Sequence, residues 1–195
     1  MITVEEFVEY FPKNPKVILE LGAREAHDSL YFKRLYPQAR VVAVEANEIV
    51  WKENYTDEIE FINAGVFNES SRLKFHLNER KLGISSFRNR GDKYGSQVVY
   101  IDTIPASALC RLHSIDEIDV LKLDVEGCSY EVLESFGEKL KNIKLMHIET
   151  ETEEYFKGQI LEEKVFNLLL DNGFELLKHS QCADLNQYDS IWRRT

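Results

Sequence analysis

Val17-Ile18-Leu19-Glu20-Leu21-Gly22 is an apolar run that ends in a glycine and carries one acid, and its reading decides the fold. A short continuous apolar run bounded by turn formers predicts a strand buried on both faces, as in parallel sheets. The pattern returns in Arg40 to Glu45, Ile59 to Ala64, Asp119 to Asp124 and Ile143 to Ile148. Helical stretches fall between these runs: Asp28 to Tyr36 closed by Pro37, Asn47 to Tyr55, Tyr130 to Phe136, and Gln159 to Asp171 stopped by Asn172-Gly173. Strands alternating with helices imply βαβ units, a parallel sheet and helices on both of its faces.

The ends and the middle of the chain are less regular. Thr3 and Glu6 have capping-box spacing, predicting an amphipathic helix to about Phe11, and Pro12 to Pro15 then break the chain. Phe174 to Lys178 and Ser190 to Arg193 form a candidate terminal pair of strands. Between 65 and 117 only Leu73 to Leu77 and Val98 to Ile101 read as strands, around the turn-rich stretch Gly83 to Asp92. The expected organisation is one domain over 1–195, with an N-terminal helix and linker over 1–15. An irregular insertion over 65–117 would serve as lid and substrate region.

Composition excludes several classes. The net charge of -10, from 24 basic and 34 acidic residues, argues against a nonspecific nucleic-acid binder, which needs a basic face. No apolar run approaches the ~18 residues of a membrane span, and Met1 to Phe11 carries three glutamates instead of a signal-peptide core. Cys110, Cys128 and Cys182 are scattered without C-x-x-C spacing, which points away from a disulfide framework and towards a reducing, cytoplasmic compartment.

The functional signal is a recurrence. Glu20, Glu45, Asp124 and Glu149 each stand at the end of an apolar run. Charges there are costly unless they face a crevice or a partner, and open α/β sheets bind ligands at the carboxyl ends of their strands. The first turn, Glu20-Leu21-Gly22-Ala23-Arg24-Glu25-Ala26, lacks the G-x-G-x-x-G that cradles a pyrophosphate, and its acids would repel one. Glu45, at the end of the next strand, suits a ribose diol. A nucleoside with an amino-acid tail and no phosphate fits this pattern, and S-adenosylmethionine is one.

Five segments then carry a family resemblance: Glu20-Leu-Gly-Ala-Arg24, Val44-Glu45-Ala46-Asn47, Ile84-Ser85-Ser86, Asp119-Val-Leu-Lys-Leu-Asp-Val-Glu-Gly127, and Tyr130-Glu-Val-Leu133. Together they resemble the FkbM family of S-adenosylmethionine-dependent methyltransferases, over about residues 16 to 193. Lys122-x-Asp124-x-Glu126-Gly127 is the most specific part. Arg24 and Ala26 stand where many methyltransferases have glycine or another small residue, and Ser129 where the family often has an acid. The resemblance implies a Rossmann-like, doubly wound, mostly parallel seven-stranded sheet with an antiparallel terminal hairpin. It implies O-methylation of hydroxyls on sugars such as rhamnose, on glycans, or on polyketide and other natural-product scaffolds, and an association with glycosyltransferases. It places Glu20, Gly22, Ala23 and Arg24 on the methionine side of the cofactor and Glu45 on the ribose. Ala46, Asn63 and Ala64 would lie around the adenine, with Ser86 nearby and Asp124 beside the sulfonium.

A sugar hydroxyl is a poor nucleophile, so a base or a metal must help remove its proton. Asp124 and Glu126 are two residues apart and share a face of an extended segment, as do His147 and Glu149. One assignment makes Asp124 or His147 the base, with Glu126 and Glu149 orienting it or the acceptor. Another uses Asp124, Glu149 and His147 to hold Mg²⁺ or Mn²⁺. Arg88, Arg90 and Lys93 would meet an anionic group of the acceptor or form an ordinary solvated loop. Gln159 and Asp189 are rim candidates, Glu151, Glu153 and Glu154 read as an acidic loop, and Trp51 and Trp192 as packing. A polyketide, lipid or peptide acceptor, and a catalytically silent nucleoside-binding module, are the alternatives.

Overall fold

The computed structural model describes residues 1–78, 81–91 and 97–195, with the backbone alone for Leu82. A seven-stranded sheet forms its centre: β1 (Val17–Leu21), β2 (Arg40–Glu45), β3 (Glu60–Asn63), β7 (Ile118–Leu123), β8 (Ile143–Glu151), β9 (Phe174–Gln181) and β10 (Gln187–Arg194). The strand order is β3-β2-β1-β7-β8-β10-β9. β1, β2, β3, β7 and β8 pair in parallel, while β10 runs antiparallel to both β8 and β9. The expected sheet and its antiparallel terminal hairpin are therefore both present. The connections leave β1 towards β2 and β3 on one side and resume at β7 on the other, so the switch point lies between the ends of β1 and β7.

The continuous apolar strands earn their burial from both sides. Leu19, Leu21, Leu121, Leu123, Met146 and Ile148 join one core, which α4 (Ala106–Leu112), α5 (Ser129–Ser135) and α6 (Glu162–Asp171) cover with Leu109, Leu133 and Leu169. Ile18, Val41, Ala43, Val120 and Leu145 face the other way, under Phe7 of α1 (Val4–Val8) and Phe32 of α2 (His27–Leu35). This division follows the two-residue period of the strands. α3 (Glu48–Glu53) follows β2, its first turn capped by the Asn47 side chain. The predicted capping box closes α1: Thr3 Oγ1 accepts from Glu6 N at 3.2 Å and Glu6 Oε2 from Thr3 N at 3.0 Å. That helix stops at Val8 instead of reaching Phe11.

Two expectations need correction. The segment 65–117 is not simply irregular. It contains β4 (Gly65–Val66), β5 (Ser71–Leu77) and β6 (Gln97–Ile104), a second sheet ordered β4-β6-β5, followed by α4. β6 exposes one face, and its polar and apolar residues are too mixed for a short apolar-run search to find its full length. The strand β8 also runs on to Glu151, so Glu151 belongs to the strand and not to an acidic loop with Glu153 and Glu154. Tight pairing of β8 with β10, Glu149 opposite Asp189 and Glu151 opposite Gln187, carries it past its apolar stretch. Lys93 lies outside the described residues. No helix among the described residues is long and apolar enough to cross a membrane.

Candidate functional site

Gly22 sets the site. Its φ is +83°, and a Cβ there would lie 1.7 Å from the Asp124 carbonyl oxygen. Only glycine lets β1 and β7 end this close together, and Asp124 N closes the gap by donating to Leu21 O at 3.0 Å. Arg24 and Ala26 also have positive φ, at 48° and 57°, where a side chain is disfavoured. That tight path turns the Arg24 backbone N–H towards β2, where it donates to Glu45 Oε2 at 2.8 Å. Asn47 N donates to Glu45 Oε1 at 2.7 Å. Glu45 is buried, and that burial lifts its carboxyl above the usual range against the pull of the two N–H groups. Each oxygen accepts one of these bonds and has the capacity for another. The Asn63 side-chain amide donates to Glu45 O at 2.8 Å and holds the segment from behind.

A narrow cavity of about 180 Å³ opens in front of these residues. Gly22, Arg24, Glu45, Ala46, Ala64, Ser86, Asp124 and Glu126 all line it, together with Val66, Phe75 and Phe87. The slot is polar at the Glu45 end and apolar where the second sheet covers it. Three expected residues stand elsewhere. Glu20 is buried on the α2 face, accepting from Ser29 N and Oγ at 3.1 and 2.6 Å and from Lys122 Nζ at 3.1 Å. Ala23 packs into the core, and Asn63 supports the wall without forming it.

A wider basin of about 1080 Å³ adjoins the slot, and Arg24, Gly83, Asp124 and Glu126 line both. Its walls add Lys122, His147, Glu149 and Asp189. The carboxylates of Asp124, Glu126 and Glu149 bring oxygens within 4.8 Å of one another. Burial is the first cause that lifts Glu126 and Glu149 well above the usual carboxylate range, and the neighbouring acids add to it, Asp124 foremost. Burial likewise lifts Glu151 to about 7. Asp189, opposite Glu149 across the β8–β10 pair, is raised too. These groups hold protons that isolated carboxylates would release.

His147 behaves in the opposite way. It stands in one row with Glu20 and Lys122 across the sheet, buried against the Phe7 ring at 5.1 Å. Burial, then the Lys122 and N-terminal charges, push it down to about 3. Neither ring nitrogen has a hydrogen-bond partner, and Asp189 Oδ1 is 3.6 Å from Nε2. A neutral imidazole whose conjugate acid is this strong is a poor base, so the expectation of His147 as base meets a physical obstacle. Nor does it join the oxygen cluster expected to include it. Among the described residues Glu126 completes that set with Asp124 and Glu149. A hard divalent cation suits this all-oxygen set.

The arginines of the 81–91 segment are already paired. Arg88 binds the Glu131 carboxylate and the Gly158 carbonyl. Arg90 lies 3.6 Å from Glu126 and 3.7 Å from Asp184. Neither offers a free guanidinium to an anion. Gln159 ties Glu151 (2.6 Å) to the backbone N–H groups of Tyr155 and Phe156, while Glu153 and Glu154 are exposed. Trp51 donates to Phe61 O and Trp192 is packed into the core. Three contributors escaped the sequence reading: the Arg24 backbone N–H, Lys122 as partner of Glu20 and Asp28 (3.1 and 3.2 Å), and Phe87 over the slot. Lys122 alone left a trace, as a lone cation inside a buried strand.

The raised acids predict a pH dependence of stability. A carboxyl that binds its proton more tightly folded than unfolded loses stability as pH rises towards its folded value. His147 has the opposite sign but is neutral in both states above its ordinary value of 6.5. From there to about pH 8 the acids act alone. Thermal melts of the ligand-free chain should fall across that window, and Glu151→Gln should flatten the fall. A rising or level profile would contradict the raised acids.

Known proteins similar to this chain are methyltransferases. The family model "Methyltransferase FkbM domain" matches residues 15–176. A 2-O-methyltransferase, NoeI, of Sinorhizobium fredii is 20% identical, covering 88% of this chain and 77% of the relative. Methyltransferase sdnD of Sordaria araneosa is 25% identical, covering 94% of this chain and 82% of the relative. A solved S-adenosylmethionine-dependent methyltransferase from Aquifex aeolicus superposes with a TM-score of 0.53 at 12% identity, covering 100% of this chain and 90% of that one.

Proposed function

The chain belongs to the methyltransferase FkbM domain family, and from that premise we propose that it moves a methyl group from S-adenosylmethionine to a hydroxyl of a sugar or glycan. What supports this most is the meeting of a narrow, Glu45-ended slot and a wide acidic basin at Asp124 and Glu126. The slot has the chemistry for a nucleoside: a carboxylate with two free lone pairs for the ribose diol and an apolar wall for the base. The basin has room for a bulky acceptor, and the likeness to a 2-O-methyltransferase favours a hydroxyl. The free thiols, with Cys110 and Cys128 buried, support a reducing compartment, the cytosol.

S-adenosylmethionine, when bound, supplies an electrophilic methyl on a cationic sulfur. The protein must align the acceptor oxygen behind that carbon and take up its proton. Asp124, on the shared wall, is the group that would face the sulfur. Glu126 and Glu149 are the acids that would receive the proton, because a base lifted towards neutrality is matched to the task. A second reading is favoured by the close grouping of Asp124, Glu126 and Glu149. There Mg²⁺ or Mn²⁺ would polarise the hydroxyl, and transfer would stop in EDTA and return with the metal.

Calorimetry with S-adenosylmethionine and S-adenosylhomocysteine, followed by a transfer screen over sugars, tests the proposal. Binding of both and methylation of a sugar hydroxyl are expected. Binding without transfer to any hydroxylated acceptor would favour a silent module, and no heat with either nucleoside would end the reading. Glu45→Gln should weaken nucleoside binding by roughly 10–100-fold, the worth of charge-assisted hydrogen bonds. Asp124→Asn should abolish transfer while sparing binding of S-adenosylhomocysteine, whose sulfur carries no charge.

A further inference from the structure

We propose that Arg90 is a positioning residue that fixes the Glu126 carboxylate at the wall between the slot and the basin. The proposal rests on the reading of Glu126 as part of the proton path, and it adds what holds that group in place.

The backbone alone does not hold the Glu126 side chain. Glu126 sits at φ 48° and is followed by Gly127 at φ 75°, a turn that lifts its side chain off the end of β7. The Ser86 hydroxyl donates to the Glu126 carbonyl at 2.6 Å, which secures the main chain and does not reach the carboxylate. Glu126 Oε2 is buried without a hydrogen-bond partner. The groups facing it are Asp124 from its own segment, Glu149 and Glu151 from β8, and Arg90 and Lys81 from the segment 81–91. Three of these are acids, and Arg90 is the ion-paired cation, its Nη1 3.6 Å from Oε2.

Arg90 is itself held on several sides. Its guanidinium lies over the Tyr155 and Phe156 rings, 5.2 and 5.0 Å from their centroids. Its second nitrogen lies 3.7 Å from Asp184 in the turn between β9 and β10. Tyr155 Oη donates to Asp184 at 2.9 Å, so that carboxylate is also anchored. Phe156 cannot shift freely, because it fills the space over Gly127, where a Cβ would come within 2.5 Å of its ring. Nearby, Arg88 and the bond from Lys157 N to Asn89 O (2.8 Å) stitch the segment to the 155–159 loop. The charge beside Glu126 is therefore a rigid one on an aromatic platform. Arg90 stands on the wall of the basin, and its part in this scheme is to set the place of the Glu126 carboxyl.

The place of the Glu126 carboxyl is read in crystals of the chain saturated with S-adenosylhomocysteine. Arg90→Gln should leave that side chain displaced or split between rotamers, since the cation beside it is gone. Arg90→Lys should restore most of the wild-type position. Asp184→Asn, which frees one side of Arg90 and keeps an oxygen for Tyr155, should spread the Arg90 and Glu126 side chains together, and it tests the proposal if Arg90→Gln does not fold. Affinity for S-adenosylhomocysteine should change less than about threefold in all three, a bound a merely structural arginine would not respect. A Glu126 side chain in its wild-type place in a folded Arg90→Gln, or in Asp184→Asn, overturns the proposal. Failure of the wild-type chain to bind the nucleoside would instead overturn the reading it rests on.

Discussion

Gly22→Ala should melt about 6–12 °C below the wild-type chain, and it should no longer bind S-adenosylhomocysteine. An L side chain at a φ of +83° costs about 1 kcal/mol. The larger part is steric. The new methyl would overlap the Asp124 carbonyl, which lies 1.7 Å from the ideal Cβ, with Val125 Cγ1 at 3.3 Å behind it. The clash is with backbone, so no rotamer change relieves it, and β1 must part from β7. An overpacking penalty of about 1–3 kcal/mol brings the total near 3 kcal/mol, and a domain of this size loses about 2–4 °C per kcal/mol. The same displacement pulls the Arg24 N–H from Glu45 and Asp124 from the shared wall, so binding should fall with stability. Thermal melts and calorimetry check both halves. A variant that melts within about 2 °C of wild type would show that the two strand ends do not approach as closely as the structure places them.

The second large effect is expected in turnover. Glu126→Gln and Glu149→Gln should each lower kcat by about 10²–10⁴-fold, the usual worth of a positioned base. Each should leave nucleoside affinity within a few-fold of wild type. Wild-type kcat should fall on the acid side, because Glu126 and Glu149 must lose a proton to accept one, and their raised affinity for it moves that limb towards neutral pH. Because the two acids share a site, the limb belongs to the pair, and either substitution should displace it. If both variants turn over at wild-type rate on an acceptor that passes the screen, neither acid carries the proton. Asp124 would then have to take it, or a bound cation would have to acidify the hydroxyl enough for water to take it.

How far the site was legible depended on which atoms carry it. Gly22, Glu45 and Asp124 stand at the ends of apolar runs, where a one-dimensional pattern marks them. Glu20 bears the same mark, yet its side chain turns to Ser29 and Lys122. A strand-end acid looks alike in sequence whether it faces a ligand or a buried lysine, and the alternation of faces decides which. His147 is a similar case. Its spacing from Glu149 suits chemistry, but packing against Phe7 and the charge of Lys122 hold it neutral.

By itself the sequence determined the alternation of buried strands and helices, the parallel order that follows from it, the terminal hairpin and the row of acids along one rim. Those depend on local periodicity and on where apolar runs stop, and both are written along the chain. Only the tertiary structure decided which acids meet, that β4, β5 and β6 form a second sheet beside the slot, and that Arg88 and Arg90 are paired instead of waiting for an anion. Proton affinities and ion pairs depend on distances between residues remote in the chain and on the water removed around them, and neither exists until the strands are side by side.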